Sequence, residues 1–227
     1  MRKFFISSLL LCAATGMYGQ NSLEIIISES GSTEIQALPR VGLGMSLAVD
    51  APDPMDNANG LDLYVDILGF ETEAFDNVDF VAGIGVERKA YRFKDDNLRY
   101  ATMSDVIGFD YFPSGASPKY SSLRVYNCNF SAGFNFRFGD GISLAIIPEL
   151  NLNIGCRIKN KYKLDGDMKK ETIKKIDAVR PVTYDIKAMV TFSDTERWGV
   201  YVKYSPVDVL KEDHGPEFQS LSLGVCF

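Results

Sequence analysis

The 227-residue chain carries a net charge of −6, with 46% hydrophobic and 24% charged residues. That is too apolar for a disordered chain, yet no run reaches the roughly 18 uncharged apolar residues of a membrane-spanning helix. The acidic balance also argues against a grip on phosphate backbones, so no nucleic-acid partner is expected.

Arg2 and Lys3 form a positive start, residues 4–14 are apolar, and small residues around Gly16 and Gly19 offer a cleavage point before Gln20. Residues 1–19 therefore read as a secretory signal peptide, cleaved after carrying the chain through the inner membrane. Cys12 would suit a lipoprotein, but Leu11 stands before it where that processing needs a small residue. Without Arg2 and Lys3 the net charge moves to −8, and Cys128, Cys156 and Cys226 remain. Three widely spaced cysteines with no CxxC support neither a disulfide framework nor a metal site, and no cofactor is implied.

Residues 20–37, with Ile25, Ile26 and Ile27, show no clear pattern and read as an N-terminal periplasmic segment, either a tether or an inserted plug. From there on the chain alternates. Val41, Leu43, Met45, Leu47 and Val49 are interleaved with Gly42, Gly44, Ser46 and Ala48, and Leu61, Leu63, Val65 and Ile67 with Asp62, Tyr64 and Asp66. Phe80, Ala82, Ile84 and Val86 follow, opposed by Asp79, Gly83, Gly85 and Glu87. Over 126–138, Tyr126, Phe130, Phe134, Phe136 and Phe138 oppose Asn127, Asn129, Ser131, Gly133, Asn135 and Arg137. The longest run is 142–158, where Ile142, Leu144, Ile146, Leu150, Leu152, Ile154 and Ile158 fall at even positions and Ser143, Glu149, Asn151, Asn153, Gly155 and Arg157 at odd ones. The segments 182–192, 198–205 and 221–227 repeat the pattern, for a total of eight predicted strands.

The connections alternate too: 50–60 is long, 71–77 shorter, 93–119 long, 139–141 tight, 161–179 long, 193–196 tight and 208–217 medium. Short turns on one side and long loops on the other predict an all-β fold over residues 38–227. It is an eight-stranded antiparallel transmembrane β-barrel with short periplasmic turns and long extracellular loops.

A soluble barrel with its apolar face inside would alternate in the same way. Volume decides between them, because an eight-stranded interior is too narrow for the Phe, Leu and Ile faces together, whereas the opposite face is rich in Gly, Ser, Ala and Asn. Bulky apolar side chains then face lipid. This places Phe70, Phe80, Phe138, Phe192, Trp198 and Phe227 in a periplasmic aromatic girdle, and Tyr126, Tyr184 and Tyr204 in an outer one. Arg88 breaks parity by pointing outward and snorkels at the rim. Pro148 removes a ladder donor in mid-strand and predicts a bulge there.

The run Gly199-Val200-Tyr201-Val202-Lys203-Tyr204-Ser205-Pro206, followed by Phe218-Gln219-Ser220-Leu221-Ser222-Leu223-Gly224, resembles the PorT-like family of small Gram-negative outer-membrane β-barrel proteins, over roughly residues 38–227. The resemblance implies residence in the cell outer membrane and a link to protein secretion. It also implies a closing strand, Leu221, Leu223, Val225 and Phe227, read by the barrel-insertion machinery. It assigns no functional residue.

The inward faces hold acids Asp62, Asp66, Asp79, Glu87, Glu149 and Asp185 and bases Lys89, Arg137, Arg157, Lys187 and Lys203. So balanced a set suits a cross-barrel network of ion pairs better than a pore of one sign, since a buried charge without a partner costs several kcal/mol. A proton relay or small gated channel is the alternative. Asp62 and Asp66 lie about 13 Å apart along one strand, too far to share a proton. His214, among Glu212, Asp213, Gly215 and Pro216, reads as a solvated loop histidine rather than a catalytic base.

Six lysines in 161–175 make a solvated face or a contact for lipopolysaccharide phosphates. The acids of 50–56 lack the order of a calcium loop. The aromatic loop 93–119, with Tyr100, Met103, Phe109, Tyr111 and Phe112, either folds over the barrel mouth or meets a protein partner. The expected role is non-enzymatic: structural, binding or secretion-accessory, among outer-membrane lipid and lipopolysaccharide. An outer-membrane enzyme acting on lipid or peptide and a soluble periplasmic lipid carrier are the rivals.

Overall fold

The computed structural model describes residues 23–26, 33–37, 40–55, 59–93, 95, 97–103, 106–139, 141–192 and 198–227. Among them thirteen strands form: β1 (Leu23–Ile26), β2 (Thr33–Ala37), β3 (Arg40–Val49), β4 (Asn59–Phe75), β5 (Val78–Tyr91), β6 (Leu98–Met103), β7 (Val106–Tyr111), β8 (Ser117–Phe138), β9 (Ile142–Leu164), β10 (Asp167–Lys174), β11 (Val182–Phe192), β12 (Trp198–Ser205) and β13 (Gln219–Cys226). Eight of them pair antiparallel in the order β3-β4-β5-β8-β9-β11-β12-β13, and β13 returns to β3. The result is a closed barrel, which leaves no sheet edge in its wall. Two backbone bonds between Val41 and Phe227, of 3.0 and 2.9 Å, tie the seam.

The alternation read from the sequence sorts the side chains by face. On β12, Trp198, Val200, Val202 and Tyr204 are exposed while Gly199, Tyr201, Lys203 and Ser205 are buried. Leu43, Met45, Phe130, Phe134, Ile146, Leu150 and Leu223 are likewise exposed. The axis is lined instead by Asp62, Glu87, Lys89, Glu149, Asp185, Lys187 and Lys203.

The end with short turns differs from expectation at 71–77. This segment is strand rather than loop, because β4 and β5 stay paired as far as Phe75↔Val78 and turn on two residues, with Asn77 at φ 63°. The second turn uses Gly139 at φ 63°, a conformation glycine adopts without a Cβ penalty. The third turn and the leader 1–19 lie outside the described residues. β2 pairs with β4 through Thr33↔Thr72 and Glu34↔Glu71, continuing along the edge that β3 leaves at Arg40↔Asp66. This part of the N-terminal segment therefore lies beside the wall and not in the lumen.

At the other end five strands too few were expected overall, and three of the missing ones are here. The long loops contain a hairpin, β6–β7, and a strand β10 folded back on β9. β10 escaped notice because its sequence DMKKETIK has almost no apolar residues to alternate. β9 changes partner as it rises, from β11 up to Leu152 to β10 from Arg157. At that point its register against β8 shifts, with Tyr126 opposite Gly155 but Asn127 opposite Asn153, so Ile154 is the extra residue of a bulge. Asn153 fixes the junction, donating from its backbone to Pro181 O at 2.9 Å and from its side chain to Arg180 O at 2.8 Å.

The bulge expected at Pro148 is absent. Its pairing with Ile186 of β11 is regular, and on the β8 side pairing lapses over Ala132 and Gly133 without a register shift. Proline's missing donor is thus absorbed by a gap in the ladder rather than by an inserted residue.

Candidate functional site

The charged residues on the axis form one continuous series of alternating sign. Asp185 of β11 accepts from Lys89 of β5 at 2.6 Å, and Lys89 lies 3.7 Å from Glu87 of its own strand. Glu87 accepts from Lys203 of β12 at 2.8 Å, and Lys203 pairs with Glu149 of β9 at 3.1 Å. Glu149 meets Lys187 of β11 at 2.5 Å, and Lys187 lies 3.8 Å from Asp66 of β4. The series crosses the barrel more than once, and Lys187 and Lys203 are each only 1% exposed. Asn127 adds a hydrogen bond to Glu87 at 2.9 Å.

Two tyrosines complete the cluster. Lys187 and Lys203 lie 4.9 and 4.0 Å from the centroid of the Tyr64 ring, and Tyr201 meets Tyr64 edge-on at 5.1 Å. Tyr201 donates to Asp62 at 2.9 Å, so Asp62 sits beside the series, held by a phenol. Neither ring stood out in the sequence reading. Their signal was the glycines of β3: a Cβ on Gly42 would lie 1.9 Å from the Tyr64 ring, and one on Gly44 2.6 Å from the Tyr201 hydroxyl.

Three residues expected in the same network are elsewhere. Arg137 and Asp79 pair at 3.3 Å at the short-turn end, where Arg137 also meets Glu73 at 3.0 Å, forming a separate and half-exposed cluster. Arg157 is not in the lumen at all. The Ile154 bulge inverts the faces of β9, so Cys156 and Ile158 turn inward while Arg157 points out over the Tyr126 ring at 5.5 Å.

Above the charges the inward faces become apolar and close into a cap. Tyr91, Leu123, Val125, Cys156 and Ile158 come from the rising strands, Phe93 from the segment after β5, Tyr100 and Ile107 from the β6–β7 hairpin, and Val179, Val209, Leu210 and Phe218 from the other loops. Phe93 stacks on Tyr100 at 4.2 Å and meets Phe109 edge-on at 5.4 Å. The hairpin is held at its edges. Tyr100 N donates to Ser121 Oγ at 2.8 Å, Asn160 Nδ2 donates to Tyr100 O at 3.0 Å, and Ile107 N donates to His214 O at 2.9 Å. Arg99 bridges Asp110 and Glu171, each at 3.1 Å. The aromatic loop thus folds over the mouth, leaving Tyr111 and Met103, 68% and 56% exposed, to face outward. Burial pushes the Tyr100 phenol well above its ordinary pKa of 10.0.

His214 is exposed, and its ring lies 2.9 Å from Glu212 O; its backbone carbonyl, not its imidazole, anchors the hairpin. Asp50 joins Pro52, Asp208, Pro216, Glu217 and Gln219 around a hollow of about 540 Å³ in the outer loops. Among the described residues no group of three or more His, Cys, Asp and Glu is placed to hold a metal ion.

On the outer wall the aromatic residues collect towards the two ends. Phe70 and Phe80 meet edge-on at 6.4 Å and Phe192 packs on Trp198 at 4.8 Å near the short turns, where Phe138 and Phe227 are also exposed. Tyr184 and Tyr204 are exposed at the long-loop end of their strands, and Tyr204 bonds to Gln219.

No family model and no curated protein matches the chain. Among solved structures it is similar to neisserial surface protein A, at 13% identity and a TM-score of 0.39 over 83% of this chain and 95% of that one. It is also similar to Ail, the attachment invasion locus protein of Yersinia pestis, at 14% identity and 0.36 over 83% and 96%. A Rhodopseudomonas blastica porin follows at 11% and 0.21 over 83% and 98%. The barrel itself rests on the strand pairing described above.

Proposed function

We propose that the protein is an outer-membrane β-barrel of the PorT-like kind, non-enzymatic, with a structural, binding or secretion-accessory role and a lumen shut by its own ion pairs. One observation carries this: large apolar side chains face outward around the barrel while seven charged groups pair along its axis. Water would favour the reverse, and hydrocarbon favours this arrangement, since lipid solvates the outer side chains and the buried charges find their partners inside. The aromatic side chains near both ends of the wall suit the two membrane interfaces, and the cap adds a second closure above the charges. In this reading residues 1–19 are a cleaved signal peptide and the closing strand is recognised by the insertion machinery. The surrounding lipid and lipopolysaccharide, together with a protein bound at the outer loops, are the partners.

Two measurements test the reading. Carbonate washing of membranes should leave the protein in the pellet with heat-modifiable gel mobility; release into the wash would favour a soluble carrier. Planar-bilayer recording should show no steady current of porin size, and such a current would overturn the closed lumen. Hydrolysis of lipid or peptide by the purified barrel, lost in His214→Ala, would restore the enzymatic alternative.

A further inference from the structure

Among the described residues, every charged group on the outer face of the strands that rise past the barrel is a cation. Arg124 of β8 stands directly opposite Arg157 of β9, which stands directly opposite Lys174 of β10. Three cations are thus abreast in one rung, with neighbouring strands about 4.8 Å apart. The rung nearer the barrel places Arg88 opposite Tyr126, and the rung farther out places Lys159 opposite Thr172. Beyond it Tyr120, Lys161 and Lys170 continue the face. Arg92 and Arg124 both lie over the Tyr120 ring, at 5.4 and 5.9 Å.

Like charges directly opposite one another in a sheet destabilise it, so a rung of three needs an anion. Among the described residues this chain does not supply one. Among the described residues none of Arg88, Arg92, Arg124, Arg157, Lys159 and Lys174 is in an ion pair, and Arg88 Nε is buried without an acceptor. The two acids of β10 lie on the opposite side: Asp167 is 3.8 Å from Lys169, and Glu171 is held towards the cap by Arg99 and Tyr162.

We propose that this face binds the phosphates of a phosphorylated lipid headgroup, the lipopolysaccharide of the surrounding leaflet. The inference rests on the outer-membrane reading and deepens it. The chemistry is that of guanidinium and ammonium groups set side by side around phosphate oxygens. Location selects a lipid over a soluble anion. The lowest rung shares its level with Tyr126 at the top of the apolar wall, and Arg88 follows directly on the outward-facing Val86 and Ile84 of β5. The phosphates of a lipid whose acyl chains lie against that wall come to rest at this height.

The full-length protein is reconstituted in phosphatidylcholine vesicles, and binding is measured for bisphosphorylated lipid A, dephosphorylated lipid A and inorganic phosphate. The expected result is an affinity about ten-fold or more higher for the bisphosphorylated lipid, reduced at least as much in Arg124→Gln/Arg157→Gln and largely kept in Arg124→Lys/Arg157→Lys. Heat-modifiable mobility establishes that each variant is folded, and Lys159→Gln/Lys174→Gln provides a second pair. Equal affinity for both lipids in an inserted barrel overturns the proposal alone. Competition by inorganic phosphate at comparable affinity also overturns it, in favour of a soluble-anion site. Failure of the wild type to insert overturns the outer-membrane reading and the proposal with it.

Discussion

The ammonium of Lys203 lies 4.0 Å from the centroid of the Tyr64 ring while it pairs with Glu87 at 2.8 Å and Glu149 at 3.1 Å. One cation thus serves two carboxylates and an aromatic face from opposite sides of the lumen. Lys203→Met keeps the volume but takes one of two cations from each acid, leaving Glu87 to Lys89 at 3.7 Å and Glu149 to Lys187, so a loss of about 3–5 kcal/mol is expected. Urea unfolding of the refolded barrel measures it, and Lys203→Met/Glu87→Gln should recover part of the loss. A single variant within a few tenths of a kcal/mol of wild type would remove Lys203 from its central place.

Gly42 leaves room for the same ring. Gly42→Ala puts a Cβ 1.9 Å from Tyr64 and forces it to move, at a cost of about 1–3 kcal/mol. Gly108→Ala meets nothing within 4 Å and is the control, expected to be near neutral. Equal thermal midpoints for the two variants would mean that Tyr64 yields without consequence.

Arg99 ties the hairpin to β10 through half-exposed ion pairs, which are screened by solvent. Arg99→Ala is therefore expected to cost only about 0.5–1 kcal/mol. The effect should be local: faster proteolytic cutting within β6–β7 at an unchanged melting temperature of the barrel. A lowered barrel midpoint would show that cap and wall unfold together.

The buried phenol of Tyr100 makes the cap sensitive to alkali. Its pKa is raised in the folded state, so the folded cap keeps a proton that the unfolded chain releases near 10. The stabilisation is then complete below about pH 10 and declines as pH rises beyond it. Near-ultraviolet circular dichroism of the ring cluster should melt earlier at about pH 11 than at about pH 8, and Tyr100→Phe should flatten that dependence. An identical decline in the variant would place the sensitivity elsewhere.

The barrel was legible in the sequence because each wall strand has two unlike faces, and the lumen acids and lysines were legible because they occupy the polar one. The error at Arg157 shows the limit of that logic. Ile154 and Ile158 are both even and both apolar, yet one is exposed on the wall and the other is buried in the cap. Alternation records which residues avoid water and does not say whether lipid or a dry protein core receives them. A bulge between two apolar media leaves the pattern intact while exchanging the faces. On β8 the trace was visible, since apolar residues pass from even positions at Phe130 and Phe134 to odd ones at Leu123 and Val125. β10 was beyond reach for a different reason: its pairing with β9 is backbone, and its side chains carry charge on both faces.

The single inserted residue Ile154 has a wider consequence for how such a molecule can change. Below it the spacing of β9 obeys the barrel; above it the strand pairs with β8 and β10 and its inward side chains pack into the cap. On β9 the face that each side chain presents above this joint is therefore set independently of the wall, and the outer part of this strand can change length together with β10 without redrawing the wall beneath.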